Sequence, residues 1–324
     1  MTIRHFLTVD DLAGDELTHV LDLADELKAR RQAPPPAHAS LLAGRTVALI
    51  FEKPSTRTRV SFQVATTELG GHTVVLSAGE LQLGRGETVE DTARVLSRYV
   101  HALVVRTFAQ SRLETLAAHG SVPVVNALSD FAHPCQALAD LQTIREHKGR
   151  LAGLTLAYLG DGNNVAHSLL RAGAMSGMRV AVGTPPGYAP IPQVVQAAQA
   201  MAAGTGGEIL VTDDPLEAAR DADVVYTDVW ASMGQEAERA ERLLLFRPFQ
   251  VGTPVMAAAR PDALVLHCLP AHRGEEITAE VLDGTQSAVW DQAENRLHSQ
   301  KALLAFLLGD GSGGRTGDQA GERS

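Results

Sequence analysis

The sequence predicts an α/β protein of two doubly wound parallel-sheet domains of similar size, with the functional site in the cleft between them. Three observations predict it. Short apolar runs alternate with stretches of helical period from residue 46 to residue 267, as expected of βαβ units on parallel sheets. The alternation pauses once, near Arg145 to Leu151, and then restarts. Finally, 324 residues exceed the roughly 250–300 at which a single hydrophobic core stops growing.

The first element is a helix. After the start signal Thr8-Val9-Asp10-Asp11, apolar residues at Leu17, Val20, Leu21, Ala24 and Leu27 recur at helical spacing and predict an amphipathic first helix. Pro34-Pro35-Pro36 ends it, and Thr46 to Phe51 reads as a strand buried on both faces because its apolar run is unbroken. Next come a helix over Ser55–Leu69, a strand over His72–Leu76, a helix over Thr88–Arg98 and a strand over Ala102–Val105. A helix over Arg112–His119, a strand over Val122–Asn126 and a helix beginning near Pro134 complete the first series. The second series has strands at Leu154–Leu159, Arg179–Val182, Glu208–Thr212, Val224–Tyr226 and Leu264–His267. The periodic stretch Gln292–Leu308 has no later strand to pair with the second sheet, so it is expected to return to the first domain. The expected domains are therefore 1–145 with that helix, and 146–291. Asp310–Ser324 is almost all Gly or polar and is expected to form a disordered tail.

Composition narrows the function. Hydrophobic residues make up 45% and charged residues 20%, as in soluble globular proteins. A formal net charge of −10 argues against a nucleic-acid partner, since phosphate backbones attract basic faces; a small anionic substrate would need local arginines. No apolar run approaches the roughly 20 residues of a membrane span. Met1 to His5 does not lead into a signal-peptide core, so the expectation is a cytoplasmic protein with no membrane partner. Cys135 and Cys268 are the only cysteines. Their spacing is neither a disulfide framework nor a metal-ligand pattern, so each reads as a lone thiol and no metal is expected.

Ligands of open parallel sheets bind beyond the carboxyl ends of the strands, so the residues just after each strand are the candidates for function. After the first strand, Pro54-Ser55-Thr56-Arg57-Thr58-Arg59 suits the first turn of a helix. Its free N–H groups, its hydroxyls and the Arg57 fork would bind a phosphate; a capped helix with solvated arginines fits the same letters. Arg106 comes directly after the strand ending at Val105 and reads as an anion contact or as a strand-end surface charge. Asp130-Phe131-Ala132-His133-Pro134-Cys135-Gln136 puts His133 and Gln136 at another helix start, where an anion or a polarised carbonyl is favoured. A cap or core histidine is the plainer alternative.

In this order and spacing, Ser55-Thr56-Arg57-Thr58-Arg59, Arg106-Thr107 and His133-Pro134-Cys135-Gln136 resemble the carbamoyl-phosphate site of the aspartate and ornithine carbamoyltransferases. The resemblance spans the chain. It implies that Ser55, Thr56, Arg57, Thr58 and Arg106 hold the phosphate while His133 and Gln136 contact the carbamoyl group. On that reading the first domain binds carbamoyl phosphate and the second the amino acid.

The second half bears on the acceptor. Tyr158-Leu159-Gly160-Asp161-Gly162-Asn163-Asn164 looks at first like a dinucleotide fingerprint, but the next strand ends in Val182-Gly183-Thr184 without the acidic residue that would hold a ribose. In the ornithine enzymes the matching segment supplies an asparagine to the amino-acid carboxylate, here Asn164. Asp228-Val229-Trp230-Ala231-Ser232-Met233-Gly234 is similar to their mobile Ser-Met-Gly loop, which implies that Asp228 pairs with the α-ammonium and that Ser232 and the Met233 N–H complete the clamp. His267-Cys268-Leu269-Pro270 is similar to their His-Cys-Leu-Pro motif, giving Cys268 and Leu269 to the carbamoyl phosphate site. A thiol or thiolate beside Asp228 suits a cationic δ-amine, whereas an acidic acceptor would require added positive charge. Taken alone, Asp228 would read as a cap, Met233 as core and Cys268 as an inert buried thiol.

Resemblance also assigns Arg296 to carbamoyl phosphate, and Gln82 to a loop that reaches a neighbouring subunit's site. The latter implies a homotrimer or an assembly of trimers. The implied catalytic set is Arg106, His133, Asp228 and Cys268, acting on carbamoyl phosphate and L-ornithine to give citrulline and phosphate with no cofactor, in arginine biosynthesis rather than degradation. The competing readings are a carbamoyltransferase for putrescine, acetylornithine or aspartate, and a non-catalytic amino-acid-binding protein on the same fold. The last would be expected to lose Arg57, Arg106 or His133, and all three are present.

Overall fold

The structure is a computed structural model; it describes residues 3–31, 39–77, 79, 86–231 and 238–309. Two all-parallel sheets organise it. The first is formed by β1 (Thr46–Phe51), β2 (His72–Ser77), β3 (Ala102–Arg106) and β4 (Val124–Leu128) in the order β2-β1-β3-β4. The second is formed by β5 (Thr155–Leu159), β6 (Arg179–Gly183), β7 (Glu208–Thr212), β8 (Val224–Thr227) and β9 (Leu264–His267) in the order β7-β6-β5-β8-β9.

The unbroken apolar runs of β1 and β3 are explained by burial on both faces. Val47, Leu49 and Val104 pack into one core, while Ala48, Ile50, Leu103 and Val105 pack into another on the opposite side. Helices α1 (Gly14–Ala29), α2 (Thr56–Glu68) and α5 (Pro134–Lys148) join the first of these cores; α3 (Val89–Leu96) and α4 (Gln110–His119) contribute to the second. The core under α1 and α5 continues through α6 (Asn164–Met175), β5 and β8, so the two sheets share buried apolar surface. Helices α7 (Pro192–Thr205), α8 (Pro215–Ala219), α9 (Arg239–Phe246), α10 (Thr253–Ala258) and α11 (Ala279–Leu282) follow in the second half, and α12 (Val289–Leu308) packs along α5, α1 and α2.

Chain order reverses between β1 and β3 in the first sheet and between β5 and β8 in the second. Such switch points open a crevice at the carboxyl ends of the strands. Register fixes what meets there. Phe51 pairs with Arg106, so the segment entering α2 lies beside that arginine; Leu159 and His267 both pair with Thr227, so Gly160, Asp228 and Cys268 emerge side by side.

The expected elements all form, some with the expected ends, as Thr46–Phe51, Glu208–Thr212 and Leu264–His267, and others with shifted ones. Strand β4 starts at Val124 rather than Val122, after Pro123, which has no N–H to give a ladder. Helix α3 is shorter than expected because Thr88 caps it, accepting from Asp91 N, and its last turn tightens after Leu96. Helix α4 starts two residues early, and α12 three. The expected tail over Asp310–Ser324 lies outside the described residues. Among the described residues no helix is long and apolar enough to cross a membrane.

Candidate active site

A cleft of about 770 Å3 opens over both switch points. From the first half it is lined by Ser55, Thr56, Arg57, Thr58, Arg106 and His133, and from the second by Asn164, Asp228, Cys268 and Leu269, with Arg296 reaching in from α12. Gln136 is buried just behind Arg296. Of the remaining expected site residues, Gln82, Ser232 and Met233 lie outside the described residues.

Ser55 is the N-cap of α2, where its Oγ accepts from Thr58 N at 3.3 Å. No acidic side chain occupies the first turn, so the positive end of the helix is not neutralised locally and can attract an anion. Thr56 and Arg57 are exposed to the cleft, whereas Thr58 is buried and its Oγ1 accepts from Arg296 Nη2 at 3.1 Å.

Arg106, at the end of β3, is 9% exposed, and its Nε has no hydrogen-bond partner. Burial, then the nearby Arg296 and Arg57 charges, push its pKa down to about 10; it stays a cation at neutral pH. His133 caps α5 and donates its backbone N–H to Ser168 Oγ at 2.8 Å, leaving ring Nδ1 buried without a partner. Burial and the Arg296, Arg106 and Arg57 charges hold the imidazole well below its usual pKa. It is therefore neutral, and can give one N–H without becoming an acid. Three guanidiniums converging beside a neutral imidazole, with Arg106 Nε unpartnered, repel one another unless an anion sits among them.

The opposite wall is anionic. Asp228 Oδ1 accepts from Val229 N at 2.8 Å and Cys268 Sγ at 2.9 Å, while Oδ2 accepts from Asn163 Nδ2 at 3.0 Å. Burial and the adjacent Asp228 raise the Cys268 pKa well above the ordinary thiol value, so of the thiol and thiolate left open by the sequence, the geometry favours the thiol. Asn164 also lines the cleft and donates Nδ2 to Ser129 O at 2.6 Å. Leu269 adopts φ +58, a region uncommon outside glycine, and its N–H donates to His267 Nδ1 at 2.8 Å. His267 Nε2 in turn donates to the buried Glu276 at 3.0 Å.

Two clusters have metal-like spacing among the described residues, and neither fits an ion. Asp228, His267 and Cys268 offer ligand atoms within 4.8 Å of one another, but both His267 nitrogens are already committed, to Leu269 N and Glu276. In the cluster of His272, Glu275 and Glu276, Arg239 holds Glu275, and Glu276 Oε1 is taken by His267 and by the His272 N–H.

Sequence reasoning passed over three residues in or behind the cleft wall. Asn163 caps α6, its Oδ1 accepting from Val165 N at 2.9 Å and Ala166 N at 3.3 Å, which aims its amide N–H groups at Asp228. An Asn before a helical run is a visible cap signal. Lys53 is buried, paired with Asp130 and 4.2 Å from the centre of the Phe108 ring. Asp140, one turn beyond Gln136, is fully buried.

Comparison with known proteins settles the lineage. Residues 4–146 match the carbamoyl-P binding domain of aspartate/ornithine carbamoyltransferases, and residues 152–307 their Asp/Orn binding domain. The chain belongs to the aspartate/ornithine carbamoyltransferase family. Within the family it is 65% identical to the ornithine carbamoyltransferase of Parafrankia sp. (strain EAN1pec) over 97% of this chain and 99% of that one. It is 54% identical to an anabolic ornithine carbamoyltransferase of Pyrococcus furiosus over 94% of this chain and 96% of that one. The solved structure of the Pyrococcus furiosus ornithine carbamoyltransferase superposes with a TM-score of 0.91 at 54% identity, covering 94% of this chain and 97% of that chain.

Proposed function

We propose that this cleft transfers the carbamoyl group of carbamoyl phosphate to the δ-amine of L-ornithine, giving L-citrulline and phosphate. One observation carries the assignment of sides. The cation-lined wall of Arg57, Arg106 and Arg296 faces, across one cleft, a wall that carries Asp228, hydrogen-bonded by a neutral Cys268 thiol, and Asp161, which is paired with Arg242. A dianionic donor and a cationic acceptor fit those walls in only one orientation.

The phosphate lies at the α2 start with Ser55, Thr56, Arg57 and Thr58, and Arg106 spans phosphate and carbonyl. His133, as a neutral donor, and Arg106 stabilise the oxyanion that forms at the carbonyl. Gln136 and the Leu269 carbonyl accept from the carbamoyl amide, and Arg296 locks Gln136 to Thr58. Asp228, Asn164, Ser232 and Met233 hold the α-amino and α-carboxylate groups.

The δ-ammonium, with a pKa near 10 like that of lysine, attacks only as the free amine. The amine reacts after its first proton is lost to solvent, and Asp228 with the Cys268 thiol holds the acceptor at the carbonyl. A C–N bond forms to the carbonyl carbon, the tetrahedral intermediate collapses with cleavage of the C–O bond to phosphate, and the departing phosphate takes the amine proton. Carbamoyl phosphate binds first, because the second-domain loops close over it.

The anabolic relative supports a role in arginine biosynthesis. We infer a homotrimer or assembly of trimers, for which the exposed apolar Val60 on α2 and Val74 on the edge strand β2 offer a face to cover. The two free cysteines agree with a reducing cytoplasm. Incubation with carbamoyl phosphate and ornithine should yield citrulline and phosphate in equal amounts, and phosphate release without citrulline would overturn the transfer.

A further inference from the structure

The buried Asp140 takes no part in the transfer itself and does not line the cleft. Its surroundings are unusual in a specific way. A single oxygen, Oδ1, accepts from Gln136 Nε2 at 2.8 Å and from Gln292 Nε2 at 2.7 Å. Oδ2 is buried without a partner and is the oxygen that carries the proton when the carboxyl is neutral, so Oδ1 accepts in either form and both glutamines turn their amide nitrogens toward it and their carbonyl oxygens away. The Gln136 oxygen is thereby left for Arg296 Nη1 at 2.7 Å, and the Gln292 oxygen for the backbone N–H of His267 at 2.8 Å.

We propose that Asp140 is a positioning residue, which fixes the orientation of these two carboxamides and so presents the Gln136 oxygen to the carbamoyl amide. The proposal rests on the reading of Gln136 as a carbamoyl contact.

A primary amide is nearly isosteric with its flipped form, and only its hydrogen-bond partners choose between the two. Flipped, Gln136 would set an NH2 against the Arg296 guanidinium, donor to donor, while Arg57 and Arg106 remain in place for the phosphate. It would also offer the carbamoyl NH2 another donor instead of an acceptor. Gln292 extends the same control to the other wall: its Nε2 also donates to the Tyr226 hydroxyl at 3.1 Å, and its oxygen holds the residue before Cys268. Among the described residues Asp140 has no ion-pair partner; burial pushes its carboxyl up to about 7, against hydrogen bonds from Gln136, Gln292 and Tyr226. A buried carboxyl kept at such cost, in a family whose sites depend on donor and acceptor placement, is explained by what it orients.

The test separates the carbamoyl half of the donor site from the phosphate half. KM for carbamoyl phosphate at saturating ornithine, and the competitive Ki of inorganic phosphate, are measured on the full chain as wild type, Asp140→Leu and Asp140→Asn. Asp140→Leu should raise KM about tenfold or more, the penalty for an unmatched polar contact, while the phosphate Ki stays within about twofold. Asp140→Asn, whose Oδ1 can accept from both amides, should restore KM to within about threefold of wild type. An unchanged KM in Asp140→Leu, or a phosphate Ki that rises in step with KM, would overturn the proposal, because loosening of the arginines affects both ligands. Failure of Asp140→Asn to restore KM would also count against it. If Asp140→Leu does not fold, Asp140→Ser is read by the same split. A wild type without turnover would overturn the functional reading and this proposal together, whereas normal wild-type turnover with unaltered variants overturns the positioning role alone.

Discussion

Asp228→Asn removes one negative charge from the acceptor wall at nearly constant side-chain volume. The geometry imposes two costs. An ammonium about 4 Å from the carboxylate, at an effective dielectric near 20, interacts by about 4 kcal/mol, so kcat/KM for ornithine should fall about 1000-fold. The second cost is internal. Both Asp228 oxygens accept from fixed donors, Asn163 Nδ2 on one side and Val229 N with Cys268 Sγ on the other, so the new NH2 must face a donor whichever way it turns. Asn163 cannot flip to relieve it, because its own oxygen caps α6. One buried donor left unpaired costs about 1–3 kcal/mol, visible as a lowered melting temperature. The assay is citrulline formation against ornithine concentration, together with KM for carbamoyl phosphate, which should stay within about threefold since the arginines are untouched. A loss of less than about tenfold in kcat/KM for ornithine would refute the charge pairing.

Three further outcomes are expected. Arg57→Ala should lower kcat/KM by about 1000-fold or more while the fold survives, because the side chain is exposed to the cleft and supports no core; circular dichroism and citrulline assays check both halves. Cys268→Ser keeps a neutral donor to Asp228, so activity should fall only about tenfold with an unshifted pH profile, and a 1000-fold loss would show the thiol acting as a base. His133 has a depressed pKa, so its neutral form is present above the ordinary histidine value and is lost only as pH falls well below it. The pH profile of kcat/KM for carbamoyl phosphate should therefore show no acid limb near 6.5 from this residue, and a limb there that vanishes in His133→Gln would contradict the neutral-donor role.

The donor half of the site was legible in the sequence because its parts are local. Ser55 to Thr58 form one helix start, and Arg106 and His133 each sit at a strand end or helix cap, so pattern and chemistry coincide within a few residues. The alternating strands likewise announced both sheets, since burial on both faces forces unbroken apolar runs such as Thr46–Phe51. What stayed hidden depends on partners distant in sequence. Lys53 has meaning only beside Asp130 and Phe108, and Asp140 only because Gln292 arrives from α12. The protonation state of Cys268 was equally out of reach, since the residue type permits thiol or thiolate and it is burial against Asp228 that favours the thiol. Element ends shifted where a cap or a proline, rather than apolar period, set the boundary, as Thr88 and Pro123 do.

Acceptor choice tests the whole arrangement most directly. Initial rates with carbamoyl phosphate held saturating should give ornithine a kcat/KM about 1000-fold or more above putrescine, which lacks the carboxylate, acetylornithine, which lacks the free α-ammonium, and aspartate, which carries the wrong charge for the Asp228 wall. Comparable turnover of putrescine or acetylornithine, or any preference for aspartate over ornithine, would contradict it.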